Sequence, residues 1–201
     1  TLLLDCGRRM LAEDGGLTHF DHALNASLLL AYTALRQGDA VALHTFGAVD
    51  RVVPPVRGAG ALDSLIEATF DVQPAAVAAD YLDAAQRVLA QNARRSLVLV
   101  VTNVRDEDAD DLVAGLKLLQ RRHLVCVASL REDVLDAVAA AAPARFEDAL
   151  RVGAVHPYLA ARWLAHAQLR AQKIDVLDVR CEQLPTALVQ HYLAVKRAGR
   201  L

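Results

Sequence analysis

Aromatic side chains are scarce in this chain of 201 residues: they make up 4% of it, against 54% hydrophobic residues. A core with so few rings must be filled by Leu, Val and Ala, which fits helices packed on an aliphatic sheet. Cysteine is scarce too. Cys6, Cys126 and Cys181 lie far apart with no CxxC or CxxH spacing. An odd number of thiols on predicted strands fits buried free cysteines in a reducing, cytoplasmic compartment and argues against a disulfide framework. Neither sign of charge dominates: 22 Lys and Arg face 24 Asp and Glu, a net charge of −2. That balance supplies no clustered basic surface for a nucleic acid. No apolar run reaches the roughly 18 residues of a membrane span. The longest apolar helix face, over 26–35, is interrupted by Ser27 and Thr33. There is no signal-peptide pattern either. The chain enters a strand at Thr1 and reads as part of a longer protein, for which membrane anchoring stays open.

Catalytic signatures are missing as well. Gly-x-Ser-x-Gly is absent, and no Ser-His-Asp or Cys-His arrangement follows from residue order. A phosphoaspartate enzyme needs a second acid two residues after the first-strand Asp, where Asp5-Cys6-Gly7 has glycine. A receiver-type phosphoacceptor needs a cluster of acids and a strand-end Lys, and the first Lys is Lys117. Gly7, Gly15 and Gly16 do not fit the Gly-x-Gly-x-x-Gly of a dinucleotide site.

What is present begins with Thr1-Leu2-Leu3-Leu4-Asp5. A short continuous apolar run reads as a strand buried on both faces of a parallel sheet. It ends in a carboxylate at the edge where such sheets collect ligands. Residues 13–16 read as a loop. Thr18 is the predicted N-cap of a helix over 19–37, whose inward face carries Phe20, Ala23, Leu24, Leu28, Ala31, Tyr32 and Leu35. A strand over 40–46 turns back at 47–50 into 51–53, and Pro54-Pro55 ends that run at a sheet edge. Helices follow over 61–70 and 79–92, the second with Leu82, Ala85, Val88 and Leu89 inward. The strongest buried-strand signal is 96–102, closed by Asn103. Asp106 or Asp108 caps a helix reaching 123, and 124–130 is the next strand. Residues 133–142 are helical up to Pro143. One long helix or two abutting ones span 146–173, with Pro157 at a kink or restart. A last strand over 175–179 and a helix over 185–198 close a single α/β domain covering 1–201.

The Asp-ending first strand, the long helix after it, the edge hairpin and the strand ending Thr102-Asn103 together resemble a von Willebrand factor A-like domain. Within that fold the resemblance is closer to one bacterial branch, the domain-of-unknown-function family 58. It is carried by Ala34-Leu35-Arg36-Gln37-Gly38-Asp39, Phe46-Gly47, Ala79-Asp80-Tyr81 and Arg94-Arg95-Ser96-Leu97-Val98. The tail from Asp175-Val176-Leu177-Asp178-Val179 to Tyr192-Leu193-Ala194-Val195-Lys196-Arg197 and Leu201 also looks like that family's ending.

The resemblance implies a three-layer sandwich: a mainly parallel six-stranded sheet with one antiparallel edge strand and helices on both faces. It also implies a metal-ion-dependent adhesion site for Mg²⁺ on three loops. Laid on this chain, the site's first Asp is Asp5, but Gly7 and Arg9 stand where two serines belong. The second loop's Thr falls at Ala79, beside Asp80, and the third loop's Asp is replaced by Asn103. Asp5, Asp80 and Asn103 are thus the only candidate ligands of a weakened or lost site, since Mg²⁺ wants hard oxygens and one or two carboxylates. Otherwise Asp5 is a buried acid satisfied by loop amides or paired with Arg8 or Arg9. The implied role is a protein-interaction module working with a MoxR-type AAA+ ATPase, not an enzyme. In that role Arg8, Arg9 and Arg105 meet a partner's acid directly. A metal-dependent hydrolase using Asp5 and Asp80 is the competing class.

The remaining clusters read as ordinary structure. His19 and His22 form a solvated pair at a helix start, and His44 is a core or interface histidine. Arg94-Arg95 and Arg121-Arg122-His123 lie at the opposite end of the sheet, solvating it and pairing with nearby acids. In the long helix, Val152, Val155, Leu159, Trp163 and Leu164 form a stripe expected to be mostly core, with Trp163 the residue that could instead meet a partner.

Overall fold

The computed structural model describes residues 1–58 and 60–200. Ala59, in the lead-in to the helix over 61–70, and Leu201, at the end of the tail, lie outside the described residues. The first strand, β1 (Leu2–Asp5), is buried at every position. Alternation sends Leu2 and Leu4 to one face of the sheet and Leu3 to the other, and these residues seed two separate aliphatic cores.

A two-residue turn at Gly15 and Gly16, both at positive φ, joins a minute hairpin, β2 (Glu13–Asp14) and β3 (Leu17–Thr18). The loop expected over 13–16 is therefore a ladder. Two successive glycines supply the paired left-handed residues that tight hairpin turns require. Helix α1 (His19–Arg36) opens with Thr18 and Asp21 in a reciprocal capping box, as expected. β4 (Val41–Phe46) and β5 (Val52–Val56) form the edge hairpin. Pro54 and Pro55 lie inside β5 instead of ending it, because β5 pairs with β4 alone and its outer edge needs no donors.

The order continues with α2 (Ala61–Thr69), α3 (Tyr81–Gln91), β6 (Leu97–Thr102), α4 (Ala109–Gln120), β7 (Leu124–Arg131), α5 (Asp133–Ala140), α6 (Phe146–Ala171), β8 (Asp175–Arg180) and α7 (Leu184–Arg197). The six-stranded sheet runs β5-β4-β1-β6-β7-β8, parallel except for β5. Residues from α1, α2 and α7 fill one core, and residues from α3, α4 and α6 fill the other. This is the expected three-layer sandwich. No helix among the described residues is long and apolar enough to cross a membrane.

Three inward faces differ from expectation. On α1 the buried set includes Ala26, Leu30 and Ala34, while Tyr32 is exposed. Small residues let the helix backbone approach the sheet, and Tyr32 keeps its hydroxyl in water. On α3, Leu82 is exposed and Tyr81 is buried in its place. α4 presses against this segment: a β-carbon on Gly115 would come within 2.5 Å of the Tyr81 carbonyl. On α6 the stripe is only partly core: Val152, Val155 and Leu159 are half-buried. Trp163 and Leu164 are exposed, and the buried residues are Arg162, Ala165, His166 and Leu169. α6 also continues through Pro157. The Gly153 carbonyl, which loses its donor there, lies on the exposed side where water can serve it.

Candidate functional site

Parallel pairing puts the ends of β1 and β6 side by side, with Leu4 opposite Val101. Asp5 therefore meets Thr102. Asp5 is fully buried. Its Oδ1 accepts from the Gly7 amide at 2.7 Å, and its Oδ2 accepts from Thr102 Oγ1 at 2.6 Å. Tyr81 Oη lies 3.4 Å from Oδ2 and 3.0 Å from Thr102 Oγ1. Burial pushes the Asp5 carboxyl above its ordinary range, against the pull of Thr102, Gly7 and Tyr81, while the charge of Asp108 adds to the rise. An anion held by neutral donors alone keeps most of its desolvation penalty.

The segment before α3 closes over this carboxylate. The Ala75 amide donates to the Cys6 carbonyl at 3.0 Å, and the Arg8 amide donates to the Val77 carbonyl at 2.8 Å. Gly7 sits in that seam. A β-carbon there would lie 2.9 Å from the Val77 oxygen and 3.1 Å from Asp5 Oδ1, so any side chain at 7 must displace the segment.

The expected ligands are engaged separately. Asp80 is exposed and caps α3, accepting from the Asp83 amide at 2.8 Å. Ala79 is half-buried at the end of the closing segment. Asn103 is buried; it donates to Glu132 Oε1 at 2.9 Å and accepts from Arg162 Nη1 at 3.0 Å. Among the described residues no three His, Cys, Asp or Glu side chains gather as a metal cluster.

The arginines are not free cations. Arg9 Nε donates to Asp108 at 2.9 Å and Arg9 also pairs with Glu107. Arg8 lies 3.5 Å from Glu107. Arg105 pairs with Glu132 and stacks on the Tyr158 ring at 4.4 Å. Neither Arg8 nor Arg9 pairs with Asp5, which takes the loop-amide alternative. Glu107 and Asp108, just before α4, lie opposite the first loop, and Glu132 follows β7, so all three arginines find counter-charges within the chain.

Sequence reasoning missed Arg162, which is 5% exposed. Its Nη1 donates to Asn103 Oδ1 and the Val104 carbonyl, each at 3.0 Å. Its Nη2 donates to Ser129 Oγ at 2.8 Å, the Leu130 carbonyl at 2.8 Å and Asp178 Oδ1 at 2.9 Å. One side chain from α6 thus ties together the carboxyl ends of β6, β7 and β8. Burial raises the Asp178 carboxyl, but the His166 and Arg162 hydrogen bonds outweigh it and hold it well below the usual range. The available signal was phase: Arg162 shares a helix face with Ala165 and Leu169.

His19 overturns the solvated-pair expectation. It is fully buried and neither ring nitrogen has a hydrogen-bond partner among the described residues, while His22 Nε2 lies 2.9 Å from the Asp14 carbonyl oxygen. Its position directly after the Thr18 cap, beside the small hairpin, covers it; burial pushes its pKa down. His44 is the core histidine expected, 3.3 Å from Asn92 Nδ2. At the opposite end of the sheet, Arg94, Arg95 and Arg121 are exposed, and Arg122 donates to the Leu89 carbonyl at 2.9 Å instead of to an acid.

A parallel sheet with one antiparallel edge strand, helices on both sides and an acid ending its central strand define a von Willebrand factor A-like domain. The fold agrees with the SpRpn10 VWA domain, matched at a TM-score of 0.54 and 14% identity over 94% of this chain and 92% of that one. The chain belongs to the family described as protein of unknown function DUF58, whose model matches residues 2–156. Two further structures resemble it more loosely. One is proximal thread matrix protein 1 from the mussel byssus, with a TM-score of 0.49, 10% identity and coverage of 94% and 44%. The other is manganese-loaded Plasmodium vivax TRAP protein, with a TM-score of 0.42, 15% identity and coverage of 72% and 63%. A comparison with curated proteins finds no match.

Proposed function

We propose that this domain is a protein–protein interaction module with a degenerate adhesion site, working with a MoxR-type AAA+ ATPase in the assembly or maturation of other proteins, and that it is not an enzyme. The observation that carries this reading is the seam at Gly7. A serine there would be needed to hold Mg²⁺, yet even a β-carbon collides with the Val77 carbonyl. The rest of the donor set agrees. Asp5 spends both oxygens on Gly7 and Thr102, and the Asn103 oxygen is taken by Arg162. At the other serine position, Arg9 brings a guanidinium already paired with two acids. These residues do not fit Mg²⁺, a hard cation that needs several free oxygens. The hydrolase alternative loses its support here, because Asp80 caps a helix from an exposed position while Asp5 is buried under the closing segment.

The docking face is formed by the turns at 5–17, 75–80 and 103–108. It presents Arg8, Arg9, Glu107 and Asp108 as a compact network of alternating charge. A partner carboxylate competes for Arg9 against Glu107, the more exposed of its two acids. Three buried free thiols and the lack of a membrane-spanning helix among the described residues suit a cytoplasmic working place. The test is capture of a co-encoded MoxR-type ATPase by the tagged chain. Capture is expected to survive EDTA and to be lost in Arg9→Glu; capture that needs Mg²⁺, or that Arg9→Glu leaves unchanged, sinks the reading.

A further inference from the structure

We infer that α6 is a self-association helix: two copies of this chain pair through it, antiparallel, about a two-fold axis. Phe146, Leu150, Gly153, Pro157, Ala160 and Leu164 follow one another at alternating spacings of four and three residues. That spacing is the apolar seam of a two-helix coiled coil. All six are exposed, Phe146 at 77%, Leu150 at 58% and Leu164 at 56%, and the neighbouring Trp163 is 63% exposed. At about 100° per residue this stripe lies opposite Arg162, Ala165, His166 and Leu169, the residues that α6 buries against the sheet. The helix therefore has two apolar-facing sides, and among the described residues only one is covered. A surface helix serving a single core carries polar residues on its far side.

The seam names its own occupant. Its spacings read the same in both directions, so a copy turned end for end presents a matching row. Phe146 then faces Leu164 of the second copy, Leu150 faces Ala160, and Gly153 faces Pro157. Each large side chain meets a smaller one or the far end of the seam, and the small central residues let the two backbones approach. A parallel pair would stack Gly153 on Gly153 and Ala160 on Ala160, leaving the centre empty. Antiparallel helices also oppose their dipoles. The exposed apolar surface of the stripe with Trp163 is on the order of 600 Å², the upper end of what a monomer leaves open. Doubled by the two-fold, it is about 1,200 Å², enough for a standard-size interface at its lower limit.

The test uses the whole 201-residue chain. Sedimentation equilibrium is expected to show a monomer–dimer equilibrium in the micromolar range, weakened about a hundredfold by Leu164→Glu. Circular dichroism is expected to be unchanged in that variant, because position 164 is exposed. A monomer at every concentration, or a dimer that Leu164→Glu leaves intact, overturns the inference. Single-cysteine chains fix the register without depending on affinity. Mixed Phe146→Cys and Leu164→Cys chains are expected to form a disulfide with each other, while neither forms one alone; the natural thiols are all buried. A Phe146→Cys chain that cross-links to itself means a parallel pair and overturns the proposed geometry.

Discussion

Two buried charges at one end of the sheet are treated in opposite ways. Arg162 reaches in from α6 and finds a counter-charge in Asp178 along with four neutral acceptors. Asp5, one strand beyond β6, finds only an amide and hydroxyls. The acid of the first pair is held well below its ordinary range, and the lone acid is pushed above it. A buried charge that is paired and fully hydrogen-bonded serves the fold, whereas one held by neutral groups is costly to it and points to a ligand surface, present or former.

The largest expected effect comes from breaking the paired side. Arg162→Leu leaves Asp178 and four acceptors without their donor, and urea unfolding is expected to show a loss of about 3–5 kcal/mol. Next in size is the seam over the unpaired side. Gly7→Ser pushes a side chain into the Val77 carbonyl and is expected to cost about 1–3 kcal/mol, without creating Mg²⁺ binding by calorimetry. Gly115→Ala falls in the same range of about 1–3 kcal/mol. It forces α4 away from the Tyr81 carbonyl, and so loosens the ring that leans on Asp5.

The smallest effects sharpen the contrast through pH. Asp178 has a depressed carboxyl, so its contribution is present above the unfolded carboxylate range and disappears as pH falls through the folded value. Asp178→Asn is therefore expected to lower the melting temperature at neutral pH, by an amount that shrinks in acid. Asp5 has the opposite sign: its raised carboxyl favours the fold below the unfolded range and opposes it as pH rises through the folded value. Asp5→Asn is expected to raise the melting temperature slightly at neutral pH, and that gain is also expected to vanish in acid. Melting curves of both variants from neutral to acid pH check the two signs together.

Much of the fold was legible because the signals were local. The run Leu2-Leu3-Leu4-Asp5, the valine-rich strand ending at Thr102, the Thr18 cap and the proline pair at an edge each point to one element. The site was legible only at its anchors. Asp5, Gly7, Arg9 and Asn103 stand at loop positions that follow from the strand ends, but their partners come from elsewhere in the chain. Arg162 lies 59 residues from Asn103, and Arg9 pairs with Asp108 across 99. Periodicity alone also placed α6 imprecisely: Val152, Val155 and Leu159 are half-buried and Trp163 and Leu164 exposed, since apolar residues all round the helix leave open which side meets the sheet. The buried Arg162 decides it, through strand ends that only the folded sheet brings together.

The central claim is that the turns around Asp5 receive a polypeptide without a metal ion. Titration calorimetry of the wild-type chain with Mg²⁺ and then Mn²⁺ tests it most directly. No saturable heat is expected from either ion; a one-to-one isotherm that disappears in Asp5→Asn would contradict the account.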